Sequence, residues 1–243
     1  MVICQKFFLN ESVVHFERIE DIYRERRKQN MKYNIFIIGD SITHATGDCN
    51  NEIIGWAERF KMLYMKENDD NNKFYVNYLG FSGWTTQNLV DDAIQNFCNI
   101  IKNKAFDNSN RIIIVEIGTN DAQSNAKGKT KVSLEEFESN IKTTINEAKK
   151  CTNNILILGL TRAQTEESIP LFWKENKYYD NRILNKYDEK LEEICKDKEV
   201  SYFPIAKILK EYDYKDRLHP ANNGHEALSR AIYKKMYELF INK

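Results

Sequence analysis

Disulfide chemistry has little to work with in this chain. Its five cysteines, Cys4, Cys49, Cys98, Cys151 and Cys195, are odd in number, scattered, and form no CxxC pair. That pattern argues against a disulfide framework and against a cysteine-rich zinc site, and it fits a reducing compartment. An excess of one charge is missing too: Lys+Arg and Asp+Glu stand at 36 each. There is thus no electrostatic footprint for nucleic acid or an anionic membrane surface. No apolar run reaches the roughly 20 residues that a membrane-spanning helix needs. The opening stretch MVICQKFFLNES carries one lysine, a short broken apolar run and an early acidic residue. It makes a poor signal peptide, so the expected location is the cytoplasm. The chain also lacks a Walker-A string and a G-x-G-x-x-G string, which counts against a nucleotide-binding module. With no internal repeat, linker or low-complexity block, 243 residues read as one domain with a sizeable core.

What the chain does have is a series of buried-strand patterns, each running into a polar loop. Ile35 to Ile38 form an unbroken, β-branched apolar run that stops at Gly39, followed by Asp40, Ser41 and Thr43. Helical spacing of Ile53, Trp56, Ala57, Phe60, Leu63 and Tyr64 predicts a helix next. A second strand through Phe74, Val76, Tyr78 and Leu79 leads into Gly80, Gly83, Trp84 and Thr85, then a helix through Leu89, Ile94, Phe97, Ile100 and Ile101. Residues 111–117 are a third strand, ending in Gly118, Thr119, Asn120 and Asp121. Ser133 and Glu136 make a capping box for the helix that follows. Residues 155–160 predict a fourth strand, 182–195 an amphipathic helix and 200–204 a short fifth strand. Between them, residues 161–179 are irregular and aromatic, with Phe172, Trp173, Tyr178 and Tyr179, and suit a flap over a pocket. Residues 1–30, dominated by charge, read as an N-terminal extension or an overcalled start. The domain proper is 31–243. Strands alternating with helices predict a parallel sheet covered on both faces.

The polar loops share one address, the carboxyl edge of that sheet, where open α/β folds gather ligands and chemistry. Two readings fit Ser41 on its own stretch: a nucleophile on a strand-to-helix turn, or a helix cap. Gly83, Asn120 and Asp121 are open to the same choice between turn former and working group. A serine hydroxyl becomes a useful nucleophile when an imidazole can take its proton. His219 suits that work, and Asp216, three residues before it, is close enough to orient the ring and stabilise the imidazolium. An acyl-transfer intermediate needs donors aimed at its oxyanion, which the amides of Ser41 and Gly83 and the carboxamide of Asn120 can supply. Asp40 reads as support for the first turn and Asp121 as a brace for its own loop. His44 reads as a rim residue and His225 as structural. Trp84 and Trp173 are packing residues or an aromatic pocket wall.

Taken together, the blocks resemble the SGNH hydrolases, also called the GDSL family of esterases and lipases. GDSIT at 39–43, YLGFSGWTT at 78–86, GTND at 118–121 and DRLHP at 216–220 match its four blocks in order. The resemblance implies a three-layer α/β/α, flavodoxin-like fold with a five-stranded parallel sheet. It implies a Ser-His-Asp hydrolase with no metal and no cofactor, acting on a small-molecule ester. In that reading Ser41 is nucleophile, His219 base and Asp216 its orienter, with Gly83 and Asn120 as oxyanion donors. The expected activity is hydrolysis of small to medium carboxylic esters. Carbohydrate O-deacetylation, lysophospholipase or thioesterase action and acyl transfer are its neighbours on the same site. No oligomeric state follows from the sequence.

Overall fold

The computed structural model describes residues 31–45, 54–69, 72–106, 109–164, 169–171, 174–209 and 214–241. The extension 1–30 therefore lies outside the described residues, as do Phe172 and Trp173 of the expected flap. The first strand, β1 (Met31–Gly39), leads through a single turn of helix, α1 (Ser41–His44), to α2 (Trp56–Lys66). Next come β2 (Asn72–Gly80), the short α3 (Thr86–Asn88), and α4 (Ile94–Ile101). Then follow β3 (Asn110–Glu116), α5 (Leu134–Lys149), β4 (Ile155–Leu158) and a hairpin of β5 (Ile169–Leu171) and β6 (Lys174–Tyr179). The chain finishes through α6 (Asn181–Asp197), β7 (Ser201–Phe203), α7 (Ala206–Leu209) and α8 (Asn222–Met236).

Five strands pair in parallel in the order β2-β1-β3-β4-β7, the flavodoxin-like winding. The central strands are buried on both faces, which is why they read as continuous apolar runs. Phe36, Ile38, Ile113, Val115 and Ile157 pack toward α4, α5 and α6. Ile35, Ile37, Ile112, Ile114 and Leu156 pack the other way, against Trp56, Phe60 and Tyr64 of α2 and Leu228, Ile232 and Met236 of α8. The molecule is thus α/β/α in three layers.

Four expectations shift on contact with the structure. β1 begins at Met31, ahead of its apolar run, because Met31 pairs with Asn72 even though Met31 and Lys32 are exposed. The helix through Leu89 is interrupted by a π-helical turn, Leu89–Ala93, in which the Ile94 amide reaches back to the Leu89 carbonyl. That turn explains the five-residue step between the two buried side chains; Ile100, expected on the apolar face, is exposed. β4 stops at Leu158: the Gly159 amide makes the last ladder bond, to the Phe203 carbonyl, and the Leu160 amide turns away to Asp188 Oδ1. Part of the expected irregular flap is the β5–β6 hairpin, tied to the third loop where Ser124 and Tyr178 exchange backbone hydrogen bonds at 2.9 and 3.0 Å. Its sequence, KENKYY, has too little apolar alternation to announce a strand.

Candidate active site

The first loop leaves β1 at Gly39, and only glycine fits there. A Cβ would lie 2.2 Å from Thr43 Oγ1 and 2.5 Å from the Glu116 carbonyl. That close approach lets the Asp40 amide bond the Glu116 carbonyl at 3.1 Å, locking the exit of β1 onto the end of β3. Asp40 then caps α1, its Oδ1 accepting from the Ile42 amide at 2.9 Å. Ser41 is thereby held at the first position of the helix, on the carboxyl edge of the sheet.

Opposite it stands the last loop. Asp216, Arg217 and Leu218 turn back on themselves with Arg217 in the left-handed region, φ 68°. The Leu218 and His219 amides both donate to Asp216 Oδ1, at 3.2 and 2.8 Å. Tyr214 and Pro220 close the base of this turn as an isolated antiparallel bridge, and the Gln164 amide holds it from outside through the Arg217 carbonyl. With Oδ1 occupied by the backbone, Asp216 Oδ2 takes His219 Nδ1 at 2.7 Å. A carboxylate can only accept, so Nδ1 carries the proton, and Nε2 is left to accept from the Ser41 hydroxyl at 2.9 Å. Burial pushes the Asp216 carboxyl up, but the hydrogen bonds and charge of His219 outweigh it and hold the group below its ordinary value. Asp216 therefore keeps its negative charge where the imidazole needs it.

The second and third loops complete the edge. Gly83 sits at φ 76°, and its carbonyl accepts from Lys131 Nζ at 2.9 Å. Thr85 caps α3 in a box with Asn88, and Trp84 stacks on Phe81 with ring centroids 3.9 Å apart. Thr86 gives its amide to both Asp121 oxygens, at 3.2 and 3.0 Å, and its hydroxyl to Oδ1. Burial pushes the Asp121 carboxyl up to about 6 against the pull of those donors. Asp121 thus ties the second loop to the third. Asn120 Nδ2 donates to Asp40 Oδ2 at 3.2 Å and to the Trp84 carbonyl at 3.0 Å. Its Oδ1 accepts from the buried Tyr179 hydroxyl at 3.0 Å. The carboxamide plane is therefore fixed from three sides, with its N–H groups facing the first and second loops.

Of the sequence-predicted residues, Ser41, His219 and Asp216 lie in one hydrogen-bonded line, and Asp40 and Asn120 join the Ser41 loop directly. Gly83, Trp84 and Asp121 flank it; Trp173 lies outside the described residues. His44 is exposed beside the first turn. His225 is buried in α8, where its Nδ1 accepts the Trp56 amide at 3.2 Å, and burial lowers it to about 4. Sequence reasoning missed Tyr179 and Glu116. The first gave no local signal. The second did: a carboxyl inside the run IIIVEI is a buried charge that demands a partner. Among the described residues no cluster of three His, Cys, Asp or Glu is placed to hold a metal. No helix among them is long and apolar enough to cross a membrane.

The fold and these loops define an α/β protein of the SGNH-hydrolase type, with its polar groups gathered at the carboxyl edge of a flavodoxin-like sheet. The sequence matches the GDSL-like lipase/acylhydrolase family over residues 37–227, and the chain belongs to that family. It is accordingly an enzyme, a carboxylic ester hydrolase. A search among curated proteins gives no match. Solved structures similar to it include a catalytic mutant of an acetylxylan esterase from Geobacillus stearothermophilus, 19% identical with a TM-score of 0.60 over 86% of this chain and 94% of that one. An alpha/beta hydrolase enzyme from the metagenome of Lake Arreo, Spain, is 18% identical with a TM-score of 0.60, covering 85% and 95%. The psychrotrophic esterase EstA from Pseudoalteromonas sp. is 15% identical with a TM-score of 0.58, covering 84% and 97%. At such identities the likeness concerns the fold.

Proposed function

We propose that the protein hydrolyses small to medium carboxylic esters through an acyl-serine intermediate, with Ser41 as nucleophile, His219 as general base and Asp216 as its orienter. The observation that carries this reading is the line from Ser41 Oγ to His219 Nε2, 2.9 Å, and from His219 Nδ1 to Asp216 Oδ2, 2.7 Å. As Ser41 Oγ attacks the ester carbonyl, its proton passes to Nε2, and Asp216 stabilises the imidazolium. The resulting oxyanion is held by the Ser41 and Gly83 amides and by one Asn120 N–H, which leaves the Trp84 carbonyl to take it up while the other stays on Asp40. Collapse breaks the bond to the alcohol, which leaves with the proton from His219. A water molecule, deprotonated by the same nitrogen, then attacks the acyl-serine; the bond to Ser41 Oγ breaks, His219 returns the proton to Oγ, and the acid departs. Asp40 and Asp121 support the loops, and Trp84, stacked on Phe81, serves as a pocket wall. No step calls for a metal or cofactor.

A cytoplasmic setting fits the free thiols at Cys98, Cys151 and Cys195. Deacetylation of a carbohydrate, the activity of the acetylxylan esterase among the structures of this fold, is the second reading on the same site. A panel of p-nitrophenyl esters from acetyl to long-chain, beside acetylated sugars, tests both. A short-chain optimum supports the first reading. Turnover confined to acetylated sugars supports the second, and no turnover of any ester overturns both.

A further inference from the structure

Beneath Ser41 lies a group that the reaction as written does not use. Asp40 and Glu116 are both fully buried, and their carboxyls are in hydrogen-bond contact. Each oxygen can be accounted for. Asp40 Oδ1 takes the Ile42 amide at 2.9 Å and Oδ2 takes Asn120 Nδ2 at 3.2 Å. Glu116 Oε2 takes the Thr43 hydroxyl at 2.8 Å. Glu116 Oε1 is buried and has no hydrogen-bond partner, although the Thr43 and Asp40 amides lie near the carboxyl. Two ionised carboxylates in contact in a dry interior repel strongly, and an orphaned buried oxygen is costly. A proton on one carboxyl, donated to the other, removes both penalties at once.

We propose that Asp40 and Glu116 share one proton, and that this proton makes Glu116 a positioning residue for the oxyanion site, by holding Asp40 where it orients Asn120. The inference rests on the acyl-serine reading above. Burial raises both carboxyls above their ordinary values, and each acts on the other. The two titrate as a pair. The groups facing them from neighbouring elements are few. The charged form of His219 favours an ionised Asp40, whereas Asp121, Asp216 and Tyr179 stand beyond Asn120. From the helices on the same sheet face come His225, kept neutral by burial, and Arg59, bound to Asn222. While the pair holds one proton it carries a single negative charge, shared among the Ile42, Asn120 and Thr43 donors. When alkali removes that proton to solvent, the two carboxylates push apart, Asp40 shifts, and the carboxamide loses its anchor on that side.

The test compares wild type with Glu116→Gln and Glu116→Leu in kcat and KM from acid to alkaline pH, with melting temperatures on the same preparations. Wild type should show an alkaline fall in kcat with KM little moved. Glu116→Gln carries a permanent N–H donor toward Asp40 and keeps an oxygen for Thr43. It should retain kcat within about threefold at neutral pH and lose the alkaline fall. Glu116→Leu should lose tenfold or more in kcat across the range; if it fails to fold, the glutamine variant decides alone. Infrared difference spectra, wild type minus Glu116→Gln, should carry a protonated-carboxyl band at neutral pH. An unchanged alkaline fall in Glu116→Gln, or the absence of that band, overturns the proposal. Labelling of wild-type Ser41 by a serine-directed phosphonate separates the two ideas. If Ser41 labels and the profile is unchanged, only the shared proton falls; if Ser41 does not label, the acyl-serine reading falls.

Discussion

Asp216→Asn is the substitution whose outcome the geometry fixes most tightly. In wild type the Leu218 and His219 amides hold Oδ1 as an acceptor at 3.2 and 2.8 Å. An asparagine side chain keeps those two bonds by placing its carbonyl oxygen there. Its NH2 then falls where Oδ2 was, 2.7 Å from His219 Nδ1. A donor facing Nδ1 forces that nitrogen to accept, so the ring proton moves to Nε2 and points at Ser41. The imidazole then has no lone pair for the hydroxyl proton. The same tautomer inversion in the Ser-His-Asp serine proteases costs about 10⁴ in kcat, or roughly 5 kcal/mol of barrier. Fold stability should change far less, by about 1–2 kcal/mol, because the backbone bonds survive and only their charge assistance is lost. That difference has a sign in pH. Asp216 is held below its ordinary value, so its stabilisation is full above the unfolded carboxylate pKa of about 4 and fades as pH falls through the lower native value. The assay is kcat on a p-nitrophenyl ester at neutral pH, with denaturant melts on the same samples. A loss of kcat smaller than about tenfold in a folded variant refutes the tautomer argument.

Asn120→Ala should lower kcat by about 10²–10³ with KM little changed, the signature of a donor that acts on developing charge. It also strips partners from Asp40, Trp84 and Tyr179, so kcat must be expressed per folded, titrated site. A drop in stability with intact turnover contradicts the oxyanion role. Tyr179→Phe leaves Asn120 Oδ1 without its hydroxyl and should cost kcat up to about tenfold, the worth of one hydrogen bond of roughly 1 kcal/mol. An unchanged kcat makes that hydroxyl a packing detail. A chain beginning at Met31, where β1 starts, should keep kcat/KM, and loss of activity or solubility would place residues 1–30 against the domain.

The two-sided apolar runs made the sheet legible in the sequence: Ile35 to Ile38 and Ile112 to Val115 have no solvent face, and their burial left few alternatives. The capping box at Ser133 was legible for a different reason, since a cap is settled within one helical turn. Ser41 and Asn120 follow the ends of buried strands, and Asp216 and His219 lie three residues apart, but it was the resemblance of the four blocks that set them above helix caps and turn formers. What stayed hidden depends on contacts distant along the chain. Tyr179 finds Asn120 only because β6 folds back onto Ser124, a pairing that no local periodicity in KENKYY specifies. The π-helical turn is written in the step from Leu89 to Ile94, which a fixed helical period reads straight through. Glu116 was visible as an anomaly, but its partner Asp40 arrives from another strand.

The account turns on whether the Ser41 hydroxyl is the attacking atom. The direct measurement is to react the enzyme with a serine-directed phosphonate, map the adduct by peptide mass spectrometry, and follow esterase activity in wild type and Ser41→Ala. The account predicts one adduct per chain, at Ser41, with activity lost in step with labelling and absent from a folded Ser41→Ala variant. Near-normal activity in that variant, or an adduct elsewhere that abolishes turnover, would contradict it.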